Sequence, residues 1–138
     1  MRIAVYFDDS DFARKALKMA AIFAKNANAE LFVISTVTRD HPIRHSRLQR
    51  LEEEFESKIA TIKTIENISY ESRLLVDFEE AGEQIVKFVK RKKIDWLYIG
   101  TPRKSKLAKL IVGSTALFVI INAPCLVVSI NDRVVVEL

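Results

Sequence analysis

Residues 2–10, Arg2-Ile3-Ala4-Val5-Tyr6-Phe7-Asp8-Asp9-Ser10 (RIAVYFDDS), decide the fold. The first six, rich in β-branched and aromatic side chains, read as a strand. Asp8, Asp9, Ser10 and then Asp11 form a cluster of helix N-cap residues. Beyond them Phe12, Ala16, Met19, Ala20 and Phe23 recur at helical spacing to about Asn26. A strand that turns at once into a helix opens a β–α unit.

The rest of the chain repeats that unit. Residues 30–37 read as a second strand. After the His41-Pro42 break, a helix from about Ser46 carries the stripe Leu48, Leu51, Phe55, Ile59 and Ile62, with its glutamates mostly off the stripe. Residues 68–76 read as a third strand, followed by a helix from about Glu80 to Lys92 with Ile85, Phe88 and Val89 inward. Residues 95–99 form a fourth strand ending at Gly100, residues 114–122 a helix, and 125–130 a fifth strand. Val134 to Val136 are expected to add a short extra strand. Strands alternating with helices predict a parallel sheet covered on both faces. Ligands in such sheets sit beyond the carboxyl ends of the strands, where the strand order reverses. The loops after strands one and four are therefore the candidate site.

Bulk properties bound the function. The length of 138 residues predicts one domain over 1–138. No run is long enough to span a bilayer, and the N-terminus lacks the look of a signal peptide, so a cytoplasmic location is expected. The single cysteine, Cys125, beside Pro124 in an apolar run, reads as a small core residue. The net charge of +4 is unevenly placed: residues 87–109 carry +8 and the remainder −4. Lys87 to Lys93 close a helix, where cations oppose the dipole. Arg103, Lys104, Lys106 and Lys109 lie between Gly100 and Gly113 and require another account.

Several chemistries are excluded. No glycine precedes Lys-Ser or Lys-Thr, and there is no GxGxxG, so neither a Walker loop nor a dinucleotide fingerprint is present. His41 and His45 are separated by Pro42 and gather no further ligand type, so they read as surface residues rather than a metal site. No Ser/His/Asp constellation can be drawn. Gly113-Ser114-Thr115 opens a helix whose free N–H groups favour an anion. An ordinary serine N-cap after a glycine turn fits the same residues.

Taken together, the pattern resembles the universal stress protein family over nearly the whole chain. The resemblance rests on Ile3 to Ser10 followed by Lys15-Ala16, on Ala29-Glu30-Leu31, on Asp95 to Thr101, on Gly113-Ser114-Thr115-Ala116 and on Ala123-Pro124-Cys125. It implies a three-layer, doubly wound α/β fold with a five-stranded parallel sheet in order 3-2-1-4-5, usually dimeric. One group of the family binds ATP through Gly, two residues, Gly, nine residues, then Gly-Ser or Gly-Thr. Here Gly100 and Gly113-Ser114 hold the outer places at the expected separation, but Arg103 stands at the middle one. A guanidinium there either exchanges backbone contacts for bidentate side-chain ones or fills the pocket.

The resemblance therefore implies a non-enzymatic stress-response protein that binds ATP or another adenine nucleotide, with Mg²⁺ only if ATP is the ligand. Asp8 would face the nucleoside, and Thr36 and Val37 would line the adenine pocket. Gly100, Thr101, Gly113, Ser114 and Thr115 would hold phosphates, supported by Arg103 and Lys104. No general base for hydrolysis can be named, so slow hydrolysis is the most expected. The helix around Ala116 to Ile121 is apolar all round, which predicts a homodimer contact through Leu117, Phe118, Ile121, Val127, Val134 and Val136. The alternative keeps the fold as a dimeric interaction module without nucleotide. A phosphoacceptor receiver domain is a remote alternative: Asp77 fits its acceptor place poorly, and Ala123-Pro124 lacks its lysine. Nucleic acid binding lacks aromatic interleaving in the basic segment. Trp96, on strand four, is expected to lie near the loop and report on ligand.

Overall fold

Alternating apolar side chains shape the sheet. In a computed structural model, which describes residues 1–101, 113–131 and 133–134, strand β1 spans Arg2–Tyr6 and its buried residues split between two faces. Ile3, Val5 and Phe7 join one core with Leu31, Val33 and Tyr98; Ala4 joins the other with Phe32, Ile34, Leu97 and Ile99. The remaining elements are α1 (Asp11–Ala27), β2 (Glu30–Thr38), α2 (His45–Ala60), a 3-10 turn (Lys63–Ile65), β3 (Glu71–Asp77), α3 (Ala81–Lys92), β4 (Trp96–Gly100), α4 (Ser114–Asn122) and β5 (Leu126–Ile130). The five strands are parallel in order β3-β2-β1-β4-β5. Helices α1 and α2 cover the first face, α3 and α4 the second.

The inward stripe of α1 differs from the sequence reading. Ala13, Ala16, Leu17, Ala20, Ala21 and Ala24 face the core, while Phe12 is only half-buried. Small alanines let α1 lie close to the sheet, which displaces the larger Phe12 to the rim. Helix α2 likewise buries Phe55 and Ile59 but leaves Leu48 and Leu51 half-buried; Leu51 lines an open cavity instead of the core. Strand β3 starts three residues later than expected, after a connection in which Ile68 and Tyr70 still pack against the core.

The ladders are staggered. Pairing of β1 with β2 ends at Tyr6–Ile34, yet β2 continues beside β3 to Thr38. Pairing of β1 with β4 ends at Val5–Tyr98, yet β4 continues beside β5 to Gly100. Strand β1 is thus recessed between two longer neighbours at the carboxyl edge. That recess lies where the strand order reverses, the place at which open α/β sheets receive ligands.

Candidate functional site

The floor of the recess is the end of β1 and the turn that leaves it. The Ser10 N–H donates to Asp8 Oδ1 (3.1 Å), and Ser10 Oγ accepts from the Ala13 N–H (3.2 Å), capping α1. Asp9 between them adopts φ 64°, in the left-handed region that favours glycine and that Asp tolerates better than most. Arg14 holds it there, donating from Nη1 to Asp9 Oδ1 at 2.8 Å and from Nη2 to Thr61 Oγ1 at 3.1 Å. Asp8 stays exposed above the recess.

Two cavities flank this floor. The first, of about 310 Å³, is lined by Tyr6, Asp8, Ser10, Phe12, Ala13, Ile99, Gly100 and the start of α4, Gly113 to Ala116. The second, of about 270 Å³, lies toward β2 and α2, among Tyr6, Phe7, Asp8, Asp9, Ser35, Thr36, Val37, Leu51, Glu54, Phe55, Lys58 and Leu74. Among the described residues, Tyr6 and Asp8 are common to both. The Tyr6 hydroxyl shares a 3.3 Å hydrogen bond with Thr36 Oγ1. Burial pushes the Tyr6 phenol above its ordinary value of 10.0; the Thr36 bond opposes this, and the charge of Asp8 adds to it. The phenol is therefore a neutral hydroxyl at physiological pH.

Helix α4 presents its N-terminus to the first cavity. The Leu117 N–H closes the first turn on the Gly113 carbonyl (3.0 Å), so Ser114, Thr115 and Ala116 keep N–H groups without an intrahelical partner. Gly100 is required for packing. A Cβ there would come within 2.7 Å of Phe12 Cβ and 3.0 Å of its backbone carbon, so only glycine lets β4 end against the first turn of α1.

Of the residues expected at the site, Asp8, Gly100, Gly113, Ser114 and Thr115 surround the first cavity, and Thr36 and Val37 line the second. The Val37 carbonyl already accepts from buried Gln84 Nε2 at 3.3 Å. Thr101 turns toward β5, donating its N–H (2.7 Å) and hydroxyl (3.2 Å) to the Ile130 carbonyl. Arg103, Lys104 and Val136 lie outside the described residues. Trp96 begins β4 at the end opposite Gly100 and packs on Phe23 (5.1 Å between ring centroids). Asp95, at that same end, accepts from the Arg2 N–H at 2.8 Å.

Sequence reasoning missed Tyr6, Ser10, Phe12, Ile99 and the α2 residues Leu51, Glu54 and Lys58. Phe12, apolar but only two residues past the Ser10 N-cap, carried a local signal. Of the residues expected at a subunit contact, Leu117, Phe118 and Ile121 are exposed, whereas Val127 and Val134 are half-buried against the two cores. No helix among the described residues is long and apolar enough to cross a membrane.

A model of the universal stress protein family matches residues 1–130. No curated protein matches the chain. Among solved structures, a universal stress protein from Archaeoglobus fulgidus is 27% identical, with a TM-score of 0.76 over 94% of this chain and 93% of that one. A universal stress protein from Archaeoglobus fulgidus in complex with dAMP is 25% identical, with a TM-score of 0.73 over 94% and 97%. A Lactobacillus plantarum universal stress protein, 23% identical with a TM-score of 0.65 over 94% and 97%, shares the fold.

Proposed function

This chain belongs to the universal stress protein family, and we propose that its recess binds an adenine nucleotide. The observation that carries the reading is the first cavity, which joins an exposed carboxylate, Asp8, to the open N-terminus of α4. The phosphate sits against the N–H groups of Ser114, Thr115 and Ala116, with the Ser114 and Thr115 hydroxyls as further donors and the helix dipole favouring the anion. Asp8 accepts from the ribose. The base extends over β1 toward Thr36 and Val37. The dAMP complex of the Archaeoglobus fulgidus protein supports a mononucleotide of this class. With ATP, Arg103 and Lys104 would meet the outer phosphates. No three His, Cys, Asp or Glu side chains cluster for a metal among the described residues, so Mg²⁺ would enter on the phosphate oxygens. The protein acts by binding, in a stress response, rather than by catalysis.

Calorimetric titration with AMP, dAMP and ATP tests the reading. Saturable heat that Ser114→Pro abolishes and Asp8→Ala weakens is expected. No heat at millimolar concentration of any of the three overturns it.

We also propose that the protein is a homodimer that buries α4. Leu117, Phe118, Ile120 and Ile121, with Leu126 on β5, are large exposed apolar side chains on neighbouring elements, a surface that monomers rarely leave open. Sedimentation equilibrium is expected to give a dimer; a monomer at high micromolar concentration overturns this.

A further inference from the structure

We infer that Tyr6 is a ligand-contacting residue that forms the platform for the base and so selects nucleotides over bare sugar phosphates; this rests on the nucleotide reading above. Tyr6 is the last residue of β1 paired to a neighbour, and β2 and β4 both run past it. Its half-buried side chain packs in part against the second core, at the carboxyl edge of the sheet. It lines the cavity that opens on α4 and also the one that opens on α2.

A ligand with its phosphate at Ser114 and its ring system toward Thr36 must cross the two residues that both cavities share. Asp8 is polar and exposed, suited to the sugar. Tyr6 is a half-buried aromatic ring, suited to a π-face. Its hydroxyl is poorly engaged. The 3.3 Å separation from Thr36 Oγ1 is longer than the ~2.7–2.8 Å common for hydroxyl pairs. Burial and the charge of Asp8 keep the phenol protonated, so the hydroxyl stays on its weak Thr36 contact while the ring face is left for the base. The second cavity supplies apolar walls for the rest of the base, from Phe55, Leu51 and Leu74.

The experiment compares AMP with ribose 5-phosphate on wild type, Tyr6→Phe and Tyr6→Leu, by calorimetry. Stacking on an aromatic side chain is worth enough that Tyr6→Leu should weaken AMP about tenfold or more. Ribose 5-phosphate, which never reaches the platform, should bind all three proteins alike. Tyr6→Phe keeps the ring and should retain most of the AMP affinity, which also shows that the site folds without the hydroxyl. Tyr6→Leu binding AMP as wild type does, or losing AMP and ribose 5-phosphate together, overturns the inference and leaves the nucleotide reading standing. Wild type that binds no AMP overturns both.

Discussion

Gly82 and Gly100 are glycines for different reasons, and their alanine variants should separate. At Gly100 the added methyl meets Phe12 at Cβ and backbone, atoms that cannot swing aside. Gly100→Ala should cost about 1–3 kcal/mol, as overpacking does, read from urea denaturation. At Gly82 the methyl would meet Phe118 Cδ1 at 2.8 Å and its Cβ and Cγ at 3.1 Å, so the ring must turn and its Cβ give by a small shift, while no backbone atom is met. Gly82 is the second residue of α3, where alanine gains less than the ~1 kcal/mol of a helix interior, so Gly82→Ala should lose less than Gly100→Ala. Equal losses at both positions would refute the packing account of Gly100. Asp9 poses the complementary case. Its φ of 64° is paid for locally by Arg14, and Asp9→Val, β-branched and unable to pair, should lose about 1–2 kcal/mol in the same assay while Asp9→Asn loses little.

Helix α4 divides sharply. Val119 is fully buried, whereas Ile121, two residues on, is 70% exposed. Ile121→Lys should therefore shift sedimentation toward monomer and lower the urea midpoint only by the lost subunit contact, leaving a cooperatively folded chain, and Val119→Lys should unfold the protein. An Ile121→Lys protein that stays dimeric would place the contact elsewhere. Elements such as α4 were legible in the sequence because each carries its own local signal: β-branched and aromatic residues at Ile3 to Phe7, cap residues from Asp8 to Asp11, an apolar run at 116–121. Of the cavity-lining residues, Asp8 and Gly113 to Thr115 were legible because their chemistry is local, and Gly100, Thr36 and Val37 through the family resemblance. Tyr6 was not, because whether a strand-end tyrosine is core or floor depends on how far β2 and β4 run past it, and register is a property of neighbours far along the chain. Phe12 was misplaced for a related reason. Its spacing marks a helix face, while the distance of that helix from the sheet is set by alanines elsewhere in it.

Across the molecule, the titrating groups with a resolved shift and real burial all move the same way. Burial raises the phenols of Tyr6, Tyr70 and Tyr98 above 10.0 and the thiol of Cys125 above 9.0, with Glu56 adding at Tyr70 and Asp95 at Cys125. Each folded pKa exceeds its unfolded value, so the contribution is intact below the unfolded pKa and is lost as pH rises through the folded one. Urea midpoints should hold between pH 7 and about 8.5 and fall steadily from about pH 9 upward. Tyr98→Phe should shallow that fall; an unchanged slope would assign the alkaline loss to other groups. A different consequence follows from the stagger of the three central strands. The hollow is a deficit of length in one strand, so it belongs to the spacing between chain landmarks more than to any side chain. Two residues inserted after Phe7 would let the first strand catch up with its flanks and erase the hollow with every wall residue intact. Conversely, sequence can drift far around it while the vacancy persists wherever those counts are kept.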